Sequence, residues 1–269
     1  EDINKFRTNA NKLIARMLDE IQRNVPIRLS TLKGGTARNA IPRDAEAVFV
    51  CTKEHATLCK EKFSAIQATV QSELANTEAG LALSLTQIKG EPVRVIAETE
   101  SAIRLLTALP HGVSSMSADM PTFVETSNNI GVMELTEDGL SIISNHRSSV
   151  FSRLEEITRR VETVAWLAGA KTEKTKMFPP WQPNMESSLL KKCVETYRSI
   201  KEEDPKVELT HGGLECGIIS DRCGGLDTIS MGPTIKDLHS PDERLFIPSL
   251  VNTWEFLNRT FAWYSKMVA

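Results

Sequence analysis

The sequence predicts a mixed α/β chain built in two parts, and three patterns predict it. Helical stripes of apolar residues alternate with short runs of strand periodicity as far as Gly169. Asp138-Gly139 stands between two strand-like segments, which is the turn chemistry of a β-hairpin. The run Pro179-Pro180-Trp181-Gln182-Pro183 suits neither a helix interior nor a central strand, and it marks a domain junction.

The elements follow in order. Ile3, Phe6, Ala10, Leu13, Met17 and Ile21 fall at helical spacing, so a helix is expected from almost the first residue. Val25, Ile27 and Leu29 alternate as a strand, Gly34-Gly35 marks a turn, and residues 45–50 alternate again. Cys59, Phe63, Ile66, Val70 and Leu74 form a second helical stripe with Thr52 as its expected N-cap. Residues 81–85 read as a strand and 101–109 as a helix closed by Pro110 and Gly112. Residues 124–135 and 140–143 read as the hairpin arms. A helix carrying Val150, Leu154, Ile157, Val161 and Val164 ends at Gly169. Beyond the junction come a helix (Leu189, Cys193, Tyr197, Ile200), a glycine-rich stretch over 211–225 and a short strand at 226–230. A loop leads to a last helix opening at Pro248. Its stripe of Leu250, Trp254, Leu257, Phe261 and Tyr264 is expected to be core.

Composition narrows the function. The 269 residues are 41% hydrophobic and 25% charged, which excludes bulk disorder. With 32 basic and 35 acidic residues the formal charge is −3, so no nucleic-acid partner is expected. No apolar run approaches the roughly 20 residues of a membrane span, so no membrane partner is expected either. Five scattered cysteines with no CxxC pair fit reduced thiols and a cytoplasmic setting. The five histidines stand far apart, with no local metal pair.

One loop stands out. Ser230-Met231-Gly232-Pro233-Thr234 leads to His239-Ser240-Pro241-Asp242-Glu243. Ser240 and Glu243 satisfy a helix capping box with Pro241 at the first helical position, while His239 is also a candidate ligand. Spacing alone leaves both readings open, and they are compatible.

These motifs, with His211-Gly-Gly-Leu-Glu-Cys-Gly217, resemble the C-terminal signature of the aminoacyl-histidine dipeptidases. That family lies in the dizinc aminopeptidase/aminoacylase clan. Upstream, the segments 34–43 (Gly-Gly-Thr-Ala-Arg-Asn-Ala-Ile-Pro-Arg), 125–132 (Glu-Thr-Ser-Asn-Asn-Ile-Gly-Val), 168–173 and 180–183 resemble the same family in the same order.

The resemblance implies a lid domain of antiparallel sheet with helices on one face over 1–178, for substrate binding and dimerisation. It implies the C-terminal portion of a zinc-peptidase α/β catalytic domain over 179–269. It implies hydrolysis of Xaa-His dipeptides such as β-Ala-His by metal-activated water, two zinc ions per site, and a homodimer through the lid. His239 matches the family's final zinc ligand. Arg147 matches a lid arginine suited to the substrate carboxylate, with a surface salt bridge as the alternative. Asn39 matches a lid asparagine near the substrate, or else satisfies the turn before Pro42. Gly232, Pro233 and Thr234 are expected in a substrate-facing turn, and Glu215 near the substrate amino group.

No His-x-Asp motif occurs in the sequence, and no stretch of it resembles the family segment that carries the bridging Asp and the Glu-Glu pair of the general base. The lid's first strand and the family's N-terminal catalytic segment are therefore expected to lie ahead of Glu1, and no catalytic residue is named. The chain by itself is expected to be inactive. A non-catalytic lid or dimerisation module, and an aminoacylase or tripeptidase specificity, are the alternatives.

Overall fold

The computed structural model describes residues 3–5, 7–89, 94–175, 178–210, 214–237 and 242–268. The chain divides into two compact units, Glu1–Met177 and Phe178–Ala269.

In the first unit, helix α1 (Ala10–Gln22) starts later than its apolar stripe suggested. Asn9 ends the extended approach, and its side chain accepts the Lys12 N–H at 3.1 Å. This satisfies one of the orphan donors of the first turn. Ile3 lies outside the helix, and Phe6 lies outside the described residues.

α1 is buried on two sides. Ala15, Leu18 and Ile21 join the main core with Leu29, Leu32 and Met133. Leu13 and Met17 join a second cluster with Ile66 and Val70. Each fully buried Leu or Ile contributes about 1.5–3 kcal/mol, so the two-sided burial fixes α1 between the sheet and helix α2 (Ala56–Leu74). Thr52 does not cap α2 as expected. Its hydroxyl meets His55 Nδ1 at 2.9 Å, and a single 3₁₀ turn, Lys53–His55, precedes the helix.

The sheet is antiparallel. Strand β1 (Arg28–Gly34) pairs with β2 (Ala45–Val50) on one side. On the other side, Lys33 and Gly34 pair with Glu134 and Met133 of β4 (Val124–Thr136). β3 (Gly112–Met116) pairs with the opposite end of β4, from Val124 to Asn128. β5 (Gly139–Ser148) pairs along nearly all of β4. This is the hairpin that Asp138-Gly139 announced, and Gly139 takes the required positive φ of 123°. Residues 81–85 form no strand; Leu81, Leu83 and Leu85 pack on the two clusters as irregular chain instead.

Among the described residues, the helices of this unit lie on one face of the sheet. Leu140 and Ile142 of β5 pack into the core under α1 and α3 (Thr99–Ala108). His146, on the same face by strand alternation, meets Thr158 of α4 (Phe151–Leu167) at 3.0 Å. The other face carries Ile143, Asn145 and Arg147.

In the second unit, α5 (Ser188–Lys201) is capped by Ser187, whose hydroxyl accepts from Leu190 N at 2.8 Å. Asp227 accepts from both Ser187 Oγ at 2.8 Å and Leu189 N at 3.3 Å. The glycine-rich stretch contains a helix that periodicity did not predict, α6 (Glu215–Arg222). The expected strand at 226–230 is irregular chain. The loop beyond it carries a two-stranded ladder, β6 (Ile235–Lys236) with β7 (Arg244–Leu245).

α7 (Pro248–Val268) opens at Pro248 as expected. Its aromatic stripe is not core: Trp254, Phe261 and Tyr264 are exposed, and Phe256 is buried against Tyr197 of α5 instead. Among the described residues, no helix is long and apolar enough to cross a membrane.

Candidate functional site

The first unit has a notch where β1 and β3 part along the same edge of β4. Among the described residues, β1 takes Met133 and Glu134, β3 ends at Asn128, and no strand pairs with residues 129–132 on that edge. A backbone carbonyl there must find a partner. Side chains from α1's start supply it: Ile130 O accepts from Asn9 Nδ2 at 3.0 Å and from Asn11 Nδ2 at 3.3 Å.

The same asparagine joins a wider network. Asn9 Nδ2 also donates to Asn129 Oδ1 at 3.2 Å and lies 3.3 Å from His111 Nδ1. Asn128 Nδ2 donates to Pro110 O. Lys12, one turn into α1, donates to the carbonyls of Leu106, Thr107 and Leu109 at 2.7–2.8 Å. An ammonium at the C-terminus of α3 answers both its orphan carbonyls and its dipole. Burial lowers the Lys12 pKa to about 8. Burial, and then the Lys12 charge, lower His111 to about 4, so His111 is neutral at pH 7 and can accept from Asn9.

Over the notch runs loop 35–42, which carries Asn39. Asn129 Nδ2 donates to Ala40 O at 2.7 Å and to Arg38 O at 3.4 Å. Ala10 N donates to Pro42 O at 3.0 Å. Asn39 is exposed, and among the described residues its side chain makes no hydrogen bond.

Arg147 stands on the open face of the same sheet. It pairs in register with Ser127, and Asn145 pairs with Asn129. Alternation therefore places Arg147 diagonally from Asn129, on the face that the Asn39 loop covers. Arg147 is half-buried, and among the described residues it has no ion pair or hydrogen-bond partner on its side chain. Its neighbour His146 faces the helices, with Ser144 Oγ at 3.1 Å and Thr158 Oγ1 at 3.0 Å on its two nitrogens. Burial lowers its pKa, with Glu162 opposing and Lys174 adding to the shift.

In the second unit, Glu215 is exposed in the first turn of α6, where a carboxylate complements the helix dipole. A Cβ at Gly217 would lie 2.8 Å from Pro179 O and 3.3 Å from Trp181 Cβ. Gly217, at the start of α6, thus packs directly on the Pro-Trp segment.

Gly232 and Thr234 line a cavity of about 880 Å³ with Trp181, Cys193, Tyr197 and Phe256. Gly232 has open space where a Cβ would stand, and Pro233 is half-buried between two exposed neighbours. The Thr234 N–H already donates to Ser249 Oγ at 2.9 Å, which leaves it committed to the fold. His239, His211 and the Ser240 cap lie outside the described residues. Among the described residues no three His, Cys, Asp or Glu side chains cluster as a metal site, so these residues alone do not fit a zinc ion.

Nothing in periodicity singled out Asn9, Lys12, His111 or Asn129. Asn129 does fall within the motif 125–132, and Asn9 has the residue type of an N-cap directly before an apolar stripe.

Residues 4–79 match the family model of a peptidase dimerisation domain. Over 250 residues the chain is 36% identical to the cytosol non-specific dipeptidase of Escherichia coli (strain K12), covering 93% of this chain and 52% of that protein. The crystal structure of aminoacylhistidine dipeptidase from Vibrio alginolyticus matches with a TM-score of 0.87 at 32% identity, covering 95% of this chain and 52% of that one. The chain thus spans about half the length of these relatives. Its resemblance to dipeptidases of this kind holds in sequence and in mixed α/β fold.

Proposed function

We propose that this chain forms the lid and the C-terminal catalytic portion of a metal-dependent dipeptidase, whose substrates include Xaa-His dipeptides such as β-Ala-His. The carrying observation is Arg147, a half-buried guanidinium with no partner among the described residues. A planar cation of this kind suits a carboxylate, which it can grip with two parallel hydrogen bonds. In this reading Arg147 and Asn39 hold the C-terminal carboxylate of a dipeptide against the open face of the lid sheet. Glu215 meets the substrate's amino group, and the turn at Gly232 and Pro233 borders the bound peptide.

The resemblance brings two zinc ions to the site, and His239 is the ligand offered by this chain. The metal would supply activated water. The described residues contribute binding and orientation. The homologous dimerisation domain over 4–79 supports a homodimer through the lid, and the name of the Escherichia coli relative supports a cytoplasmic setting.

A substrate panel tests the reading on the full-length enzyme that carries this sequence. Free dipeptides should be cleaved, and their C-terminal amides should not. Equal cleavage of acid and amide would refute the carboxylate grip. Rates for β-Ala-His well above those for β-Ala-Leu support histidyl preference, and equal rates replace it with a broad dipeptidase.

A further inference from the structure

We propose that Asn129 is a positioning residue, whose carboxamide, oriented by Asn9, holds loop 35–42 so that Asn39 is presented beside Arg147 for a dipeptide carboxylate. This rests on the preceding reading of Asn39 and Arg147 as the carboxylate site.

The hydrogen-bond polarity sets the arrangement. Asn9 Nδ2 can only donate, so the Asn129 atom facing it at 3.2 Å is the oxygen. That choice turns the Asn129 NH₂ toward the loop, where it meets two carbonyls, Arg38 O and Ala40 O. These are the residues on either side of Asn39. One buried NH₂ group thus ties the chain at both flanks of an exposed side chain; Asn129 itself is 9% exposed.

Asn9 is fixed in turn by α1, where its Oδ1 accepts the Lys12 N–H, and by the Ile130 carbonyl. The loop is held further by Ala10 N on Pro42 O and by Ala40 N on Ala37 O at 3.3 Å. These restraints act on the backbone and leave the exposed Asn39 side chain, like those of Thr36 and Arg38, uncommitted among the described residues. A side chain held this way loses little entropy when it binds.

The experiment is a double-mutant cycle in the full-length enzyme, with KM and kcat measured for a free dipeptide. Asn39→Ala and Asn129→Ala should each raise KM by roughly tenfold, the scale of one hydrogen bond to a charged group, with kcat nearly unchanged. The double variant should be no worse than either single, because both remove the same contact. Multiplying effects, or an unchanged KM in Asn129→Ala beside a raised KM in Asn39→Ala, would overturn the positioning role while the carboxylate site stands. An unchanged KM in Asn39→Ala would instead refute the carboxylate site itself, and the positioning role with it.

If Asn129→Ala fails to fold by thermal melting, Asn9→Ser replaces it. Serine keeps the N-cap but removes the donor that orients Asn129. The same KM rise, absent in an Asn39→Ala background, is expected, and a KM rise that persists there would overturn the proposal.

Discussion

The backbone of Gly35 crosses that of Gly131 so closely that a Cβ on Gly35 would lie 1.9 Å from the Gly131 carbonyl oxygen. From the other side, a Cβ on Gly131 would meet Arg38 O at 2.6 Å and Arg38 Cα at 2.7 Å. The two glycines let the Asn39 loop lie directly on β4, with Gly35 at a φ of 71°.

Gly131→Ala should therefore lift the loop from the sheet. The contact is with backbone, which cannot rotate away. Overpacking of this kind costs about 1–3 kcal/mol. Urea denaturation should show that loss, and the KM for dipeptide should rise as it does in Asn39→Ala. Unchanged stability would mean the loop does not rest on Gly131.

Lys12→Met should destabilise the first unit. Three carbonyls at the end of α3 lose their donor, and leaving the two part-buried ones, Leu106 O and Leu109 O, short of a partner costs about 1–3 kcal/mol in all. Methionine keeps the length and apolar character of the stem, so lost packing does not explain the effect. Equilibrium unfolding of the two proteins side by side measures it.

Much of this was legible in the residues, and the reasons differ by element. The β4–β5 hairpin was readable because Asp138-Gly139 encodes its own turn. α1 was readable in type but not in start, because Ile3 continues the spacing of Leu13 and Met17 while the cap at Asn9 decides where the helix begins. Residues 81–85 have strand composition, but they pack on helices and find no ladder, which only tertiary structure reveals. Asn39 and Arg147 came from family motifs. Asn129 and Asn9 could not come from local patterns, because 120 residues separate them and the gap between β1 and β3 that they fill exists only in the folded sheet.

The His111 imidazole gives the first unit an acid sensitivity. Burial and the nearby Lys12 charge hold its folded pKa at about 4, below its ordinary 6.5. Above pH 6.5 the ring is neutral folded and unfolded, and its contribution to stability is full. Between 6.5 and 4 the unfolded chain binds a proton that the folded chain refuses, so stability falls as pH falls. Protonation also turns the acceptor facing Asn9 into a donor, which opposes the Asn9 NH₂. At pH 5 the loss should be on the order of 1–2 kcal/mol. His111→Gln removes the titration, and urea curves at pH 7 and pH 5 should then differ by less than in the unmodified protein. An equal difference in both would place the acid sensitivity elsewhere.

Arg147 separates folding from binding. With no hydrogen bond or ion pair on its side chain among the described residues, its removal leaves no polar partner stranded there. Arg147→Ala should shift stability by no more than about 0.5 kcal/mol, the usual range for a change that strands no polar partner and opens no core cavity. A carboxylate held by a guanidinium fork is worth about 1.5–3 kcal/mol, so the same change should raise KM for a dipeptide roughly ten- to a hundredfold. Arg147→Lys should recover only part of that loss, since an ammonium supplies the charge without the paired geometry. A melting temperature that falls in step with activity would instead make Arg147 a structural residue, and an unchanged KM would move the carboxylate to another cation.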